Sequence, residues 1–502
     1  MVRKTDWPVF IISGGFLLLF VIASLIQVDF VADLVDLSFA WATSYFGAFW
    51  QVFMVLVLVV AIGLMVSRYG NIRLGTRDRP DINNFKWIAM IVTTLMAGGG
   101  VFWAAAEPVS HFLETPPMYG DVPPGEGATI APALAQSFLD WGFLAWAVNG
   151  TLTAVVIMYG QSKGLPMKPR ILLYPIFGEK IMTKNAFGTL VDACSILAVA
   201  AGTIGPIGFL GLQAAYMVED LFGIPNTLIT QLAVVLGLVL IAAISAMTGI
   251  HKGIQFLSRF NVIFALVLSV VILLVGPGRF IIDQFIGSFG IYVQDFLQLA
   301  FYRGDEGWLS QWTLFFWGWF IGYAPMMAMF ISRVSHGRTL RELFIAVIII
   351  APLVMNFWFT VVGGTGIFNE LQNPGSVGVP LEEGGQAAAI NAIVTQLPFG
   401  FWIAIGFLLV TVVFVATTAD TLSYTISISI SATDDPPKAM RVFWAVMMGA
   451  VGSILIVLGE GSVDALQSFI VVTAVPVSLI LLPTLWLAPR VAKKMAREQG
   501  IK

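Results

Sequence analysis

The chain has 502 residues, 58% of them hydrophobic and 11% charged, with a mean hydropathy of +0.89 and a net charge of −3. Soluble domains carry about 25% charged residues, so a soluble protein is excluded and a polytopic all-α membrane protein is expected; nothing in the charge suggests a nucleic-acid partner. Cys194 is the only cysteine, which excludes an intrachain disulfide or a cysteine metal cluster, and His111, His251 and His336 are too scattered to form a metal spacing.

The first apolar run starts within ten residues of Met1 and no small-residue cleavage site follows it, so it reads as a retained span. Twelve runs approach or exceed the roughly 20 residues needed to cross a bilayer. They lie near 8–26, 48–67, 87–106, 138–159, 190–217, 227–247, 260–276, 312–332, 340–363, 399–422, 439–458 and 465–488. With the N-terminus inside, 24 of the 26 basic residues fall in inner segments, and only Arg279 and Arg303 fall outside. The outer loops carry acids instead, among them Glu114, Asp121, Glu126, Glu382 and Glu383. This split predicts that both termini are cytoplasmic. Residues 281–302 are apolar with sparse polar positions and are expected to lie in the outer interface, because a thirteenth span would invert every later loop. Residues 363–398 form a Gly-rich acidic outer loop.

Two spans contain helix-breaking sequence. Span three reads TTLMAGGGVFWAAAEP, with Gly98, Gly99 and Gly100 together, and span eight reads QWTLFFWGWFIGYAPMMAMF, with Gly318, Gly322 and Pro325 near its middle. Proline interrupts a helix, and irregular backbone at membrane depth survives only where protein or a cavity encloses it. Interrupted helices at matching positions of two halves point to a transporter's central site, and an offset of five helices makes the halves inverted. Trp312, Trp317, Trp319 and Tyr323 flank the expected break in span eight, and indole faces suit a small organic cation. Close packing of small residues and an interfacial aromatic belt are the plainer alternatives. Asp140 and Asp192 lie near span ends, where solvation or capping is expected, and Asp420 follows a threonine pair.

WTLFFWGWF at Trp312–Phe320, FISRVSHGRTLRE at Phe330–Glu342, the AEP of span three, the WGFLAW of span four and KGIQFLS at Lys252–Ser258 together resemble the betaine/carnitine/choline transporter family over essentially the whole chain. The resemblance implies twelve transmembrane helices in a LeuT-type fold, with inverted five-helix repeats (spans 3–7 and 8–12) after two leading helices. The corresponding segments are 1–86 for the leading helices and inner loop, 87–276 and 312–488 for the repeats, 277–311 for the outer interfacial helix and 489–502 for a short basic tail. It also implies a homotrimer in the bacterial cytoplasmic membrane that moves quaternary-ammonium or sulfonium solutes by alternating access, without a prosthetic cofactor.

By the same resemblance, Trp141 and Trp146 match the two span-four tryptophans of the family's aromatic box, and Trp319 matches the first of its span-eight pair. Phe320 replaces the second, Asn149 stands where some betaine carriers have tyrosine, and Leu95–Gly99 replaces the usual GxGxG. Met96, Trp103 and Tyr323 complete the candidate substrate set. For sodium, the matching span-ten hydroxyls are Thr417 and Thr418, with Phe414 one turn earlier. A hard cation takes oxygen ligands, whereas helical threonines also bond back to their own carbonyls. A second sodium site has Thr203 but Val199 in place of its other hydroxyl, so one site is expected. Sodium-independent exchangers carry an arginine where this chain has Val262, which favours sodium coupling, although Met327 matches those exchangers. The alternatives are such an exchanger or, in another class, an onium-gated channel or receptor. An intramembrane enzyme is not expected, since no nucleophile or acid–base constellation is legible at membrane depth.

Overall fold

The computed structural model describes residues 5–75, 77–183, 185–248, 251–431, 433 and 435–501. Of the basic residues that argue topology, Arg3, Lys4, Lys184 and Lys502 lie outside the described residues, as do the side chains of the KGIQFLS motif. Among the described residues every extended element is a helix, and the sole β-pairing is an isolated bridge between Arg73 and Thr339.

Ten helices or helix groups among the described residues are long and apolar enough to cross a membrane, which makes this a multi-pass membrane protein. They include α1 (Trp7–Ile26), α2 (Val28–Val66), a broken group Gly127–Ser162, Ala186–Phe222, Leu228–Met247 and Glu306–Val334. Leu340–Gln372, Gly400–Ser431, Lys438–Leu458 and Asp464–Leu481 follow. An eleventh candidate is the bent pair Phe260–Val275 and Gly278–Ala300, which turns by 109° at Gly276–Pro277. Residues 281–302, expected to lie in the outer interface, thus form a helix separate from the preceding span; it packs along Ile130–Trp141, and Tyr119 donates to its Asp295 (2.9 Å).

Span three is the interrupted helix that its glycines predict. α3 (Asn84–Leu95) is capped by the Asn83 side chain, which accepts from the Lys86 amide at 2.9 Å. A wide turn at Met96–Gly100 follows, with Gly99 at φ 138°, before α4 (Val101–Leu113) resumes. That φ lies where side chains other than hydrogen are disfavoured. Span four is broken twice, a feature the sequence reading missed. It runs as α5 (Ile130–Trp141), α6 (Phe143–Gly150) and α7 (Leu152–Ser162), with Gly142 and Thr151 non-helical between them. A Cβ on Gly142 would lie 2.1 Å from the Phe138 carbonyl and 2.7 Å from the Tyr292 hydroxyl.

Span eight differs from expectation. α8 (Thr313–Val334) is continuous through Gly318, Gly322 and Pro325, and its irregular residue is Trp312 at the outer start. The glycines are used for close approach: Cβ atoms there would meet Trp50 at 3.1 Å and Ala198 at 3.5 Å. Packing on both sides holds this helix in register across its missing proline amide.

Asp192 is likewise not solvated. It is buried and paired with Arg170, whose Nε donates at 2.6 Å and whose backbone amide donates at 2.8 Å. Asp6 and Lys168 join this cluster (Lys168 Nζ to Asp6, 2.6 Å). Several of the basic residues used in the topology reading also tie loops together. Arg341 donates to the carbonyls of Met65 and Ser67, both at 3.0 Å, and Arg338 sits 4.4 Å over the Trp87 ring. Removing one partner of a buried ion pair leaves an uncompensated charge and costs about 3–5 kcal/mol. Arg170→Ala should therefore lower the thermal unfolding temperature in detergent sharply, whereas Arg170→Met combined with Asp192→Leu should recover most of the loss. Equal destabilisation by the single and double variants would contradict this account.

Candidate functional site

The break in span three and the aromatic face of span eight meet at the centre of the protein. A Cβ on Gly99 would lie 2.5 Å from Cη2 of Trp319, so the indole rests directly on the open turn. Trp319 is anchored on its other edge, where its Nε1–H donates to the carbonyl of Gly202 at 3.0 Å. Trp358 closes the turn from span nine by donating to the Gly100 carbonyl, also at 3.0 Å. Two indole N–H groups thus hold this region in place of water, as buried backbone in a bilayer requires.

Trp141 ends α5 immediately before the Gly142 break, and its ring stands nearly perpendicular to Trp319 and Phe320. The centroid distances are 5.9 Å and 5.2 Å. Trp319 and Phe320 lie almost parallel, at 12° and 5.9 Å. Phe316 and Phe359 each approach Trp141 to 5.2 Å, and Phe209 lies 5.8 Å from Trp319. A wall of π faces around one break can attract a cation that neither donates nor accepts hydrogen bonds.

The other candidate residues occupy different places. Trp103 belongs to a neighbouring cluster, 5.1 Å from Phe316 and 5.5 Å from Phe315 and Phe209, and it abuts the Gly99 turn through its Cδ1. Met96 is buried within the turn itself. Tyr323 lies against Gly202, where a Cβ would meet its Cδ2 at 2.8 Å. Trp146 is buried in α6, but among the described residues it makes no ring contact with Trp141 or Trp319, and its Nε1 has no hydrogen-bond partner. Asn149, also buried, donates from Nδ2 to the carbonyl of Ala145 at 2.8 Å and leaves its Oδ1 unpaired.

The candidate sodium residues lie on the Gly400–Ser431 helix, which packs against the span-three turn. Thr417 donates back to the carbonyl of Val413 at 2.8 Å and accepts from Asn261 Nδ2 at 3.4 Å. The hydroxyl proton is thus engaged, while a hydroxyl oxygen still has lone-pair capacity. Thr418 and Phe414 are buried beside it. Thr203 is back-bonded to Val199 at 2.7 Å. Asp420, buried one turn below Thr417, accepts from Arg441 and from Ser245, each at 2.7 Å.

Sequence reasoning missed three contributors. Phe316 and Phe359 enlarge the aromatic wall, and nothing in their local pattern separates them from ordinary core residues. Glu107 was visible, as the only carboxylate in an apolar stretch of span three, a position that is expensive to occupy without a purpose. Its Oε2 accepts from Trp141 Nε1 at 2.7 Å, which places it directly behind the cage. Asp140, expected to be solvated, is fully buried next to it because span four breaks after residue 141 and not before.

Comparison with known proteins agrees with this architecture. The sequence pattern of BCCT, betaine/carnitine/choline family transporter, matches residues 8–497. Glycine betaine transporter 2 of Vibrio parahaemolyticus is 50% identical over 495 residues, covering 98% of this chain and 91% of the relative. A probable glycine betaine transporter of Desulfitobacterium hafniense is 33% identical and covers 96% of both chains. An ectoine/hydroxyectoine transporter of Virgibacillus pantothenticus is 29% identical over 95% of this chain and 94% of the relative.

The Gly99 turn offers a direct check on the site's construction. Gly99→Ala adds a side chain at a disfavoured φ and against Trp319, and should cost about 1–3 kcal/mol. Gly15→Ala, where a Cβ meets nothing within 4 Å, should leave thermal unfolding unchanged. Similar unfolding temperatures for the two variants would show that the turn is not held as described.

Proposed function

We propose that this chain, which belongs to the betaine/carnitine/choline family of transporters, takes up a quaternary-ammonium or related onium compatible solute by sodium symport. Members of this family are transporters and not enzymes, and the chain is a multi-pass membrane protein. The reading rests above all on one observation: Trp141, Trp319 and Phe320 present perpendicular and parallel π faces beside the Met96–Gly100 turn, which holds Gly99 at positive φ between α3 and α4. The solute's methylated cation would sit among those rings, and glycine betaine is the first candidate, as the glycine betaine transporters among the relatives support.

The wider organisation we infer is a twelve-helix LeuT-type fold with inverted repeats, working by alternating access as a homotrimer in the bacterial inner membrane, with both termini inside. Support for the count comes from the ten candidate spans together with the broken span three and the bent seventh helix. Sodium would bind where the span-ten helix meets the span-three turn, using the hydroxyl oxygens of Thr417 and Thr418 with carbonyl oxygens. Asn261 Oδ1, unpaired and one hydrogen bond from Thr417, is a further oxygen within the same neighbourhood. Val262, where exchangers carry a cation of their own, supports the same reading.

Transport by purified protein in proteoliposomes tests this. Labelled glycine betaine should accumulate only with an inward sodium gradient, and Thr417→Ala with Thr418→Ala should raise the sodium concentration for half-maximal uptake at least about tenfold. Sodium-independent uptake into vesicles preloaded with substrate would make the protein an exchanger. Trp319→Ala should raise the half-saturating betaine concentration about tenfold or more, as expected for loss of roughly 1–2 kcal/mol of cation–π attraction; an unchanged value would remove Trp319 from the cage.

A further inference from the structure

Behind the aromatic cage lies a second polar constellation that solute binding and sodium coupling leave unused. Glu107 and His111 are one turn apart on α4 and so project from one face. Asp140 reaches them from the end of α5. One ligand-type atom from each of the three lies within 4.8 Å of the others, and His111 Nε2 is 3.5 Å from Glu107 Oε1. All three side chains are buried, at 0%, 1% and 0% exposure.

The hydrogen bonding divides each carboxylate into a held oxygen and a free one. Glu107 Oε2 accepts from Trp141 Nε1 at 2.7 Å, and Asp140 Oδ2 accepts from Gln136 Nε2 at 3.0 Å. Gln136 is fixed in turn by Thr313, which accepts from the same amide nitrogen at 3.0 Å. Glu107 Oε1, Asp140 Oδ1 and His111 Nε2 have no hydrogen-bond partner. Among the described residues no lysine or arginine pairs with either carboxylate. Two buried acids and an imidazole, with three lone-pair atoms converging and no countercharge, form an arrangement that a bound cation would stabilise.

We propose that Glu107, His111 and Asp140 form a site for a divalent transition-metal ion of the zinc class. One imidazole nitrogen and two carboxylate oxygens are a three-ligand set such an ion accepts, at metal–ligand distances of about 2.0–2.2 Å. Tetrahedral ligands at that range stand about 3.4 Å apart, which the His111–Glu107 separation of 3.5 Å already meets. The imidazole disfavours magnesium and calcium, which take oxygen ligands. Trp141 and Gln136 serve as the outer partners that orient ligating carboxylates. Two negative charges match the charge of the ion. The site links span three to span four and fixes the indole of Trp141, so its occupancy holds one wall of the aromatic cage.

Purified full-length protein, stripped with a chelator and dialysed, is titrated with Zn2+ and, separately, with Co2+. One ion should bind per chain, Co2+ should show the intense visible absorption of a low-coordinate site, and X-ray absorption at the zinc edge should report nitrogen and oxygen ligands without sulfur. His111→Gln and Asp140→Asn should each weaken binding at least ~10-fold, whereas His336→Gln, on the inner side, should not. Zn2+ should raise the thermal unfolding temperature of the parent protein and not that of His111→Gln. Absence of stoichiometric binding, a sulfur ligand at the zinc edge, or undiminished binding in a folded His111→Gln variant would overturn the assignment. So would betaine uptake whose pH dependence disappears in Asp140→Asn while no metal binds, because the carboxylates would then be holding protons.

Discussion

A helix that opens halfway across a bilayer must have its freed backbone groups enclosed by protein, and the turn at Met96–Gly100 imposes that demand on everything around it. Trp358 donates to the Gly100 carbonyl, Trp319 lies on Gly99 at a distance that tolerates only hydrogen at that Cα, and the span-ten helix packs along the same turn. Trp319 is in turn held by the Gly202 carbonyl of span five. Helices from both halves of the chain therefore converge on one irregular point. The aromatic wall is a consequence: rings large enough to shield a turn also present the π faces that an onium cation prefers.

The carboxylate nearest the cage, Glu107, is secured through an indole. The Trp141 N–H is directed away from the cage and toward Glu107, which leaves the ring faces available and gives a buried carboxylate a donor. Trp319 follows the same pattern, with its N–H on Gly202 and its face parallel to Phe320. Each indole uses its one donor for structure and leaves its π surface turned to the neighbouring rings. Phe320, which has no donor to place, adds a further π face parallel to that of Trp319.

Much of the fold was legible in the sequence because bilayer physics leaves few choices. Runs of about 20 apolar residues predicted spans that the helices largely reproduce, and three successive glycines marked the span-three turn. Local rules failed where tertiary contacts decide. Gly318, Gly322 and Pro325 suggested a broken span eight, yet packing against Trp50 and Ala198 keeps α8 continuous. Gly142 gave no warning of the span-four break, since its necessity arises from Tyr292, 150 residues further along. Trp141, Trp319 and Phe320 were recognisable from the motifs that carry them. Phe359, and the meeting of Glu107, His111 and Asp140, depend on helices that only the three-dimensional structure brings together.

The central claim is that positive charge, and not merely apolar bulk, is what the rings around the Gly99 turn recognise. Calorimetric titration of the purified protein, at saturating sodium, with glycine betaine and with its neutral-headed carbon isostere, 3,3-dimethylbutanoate, separates the two. The pair share shape and carboxylate and differ in the charge of the central atom. Two or three ring faces at about 0.5–2 kcal/mol each predict that betaine binds at least about tenfold more tightly, and that Trp319→Ala narrows the difference. Equal affinity for the two compounds would contradict the account.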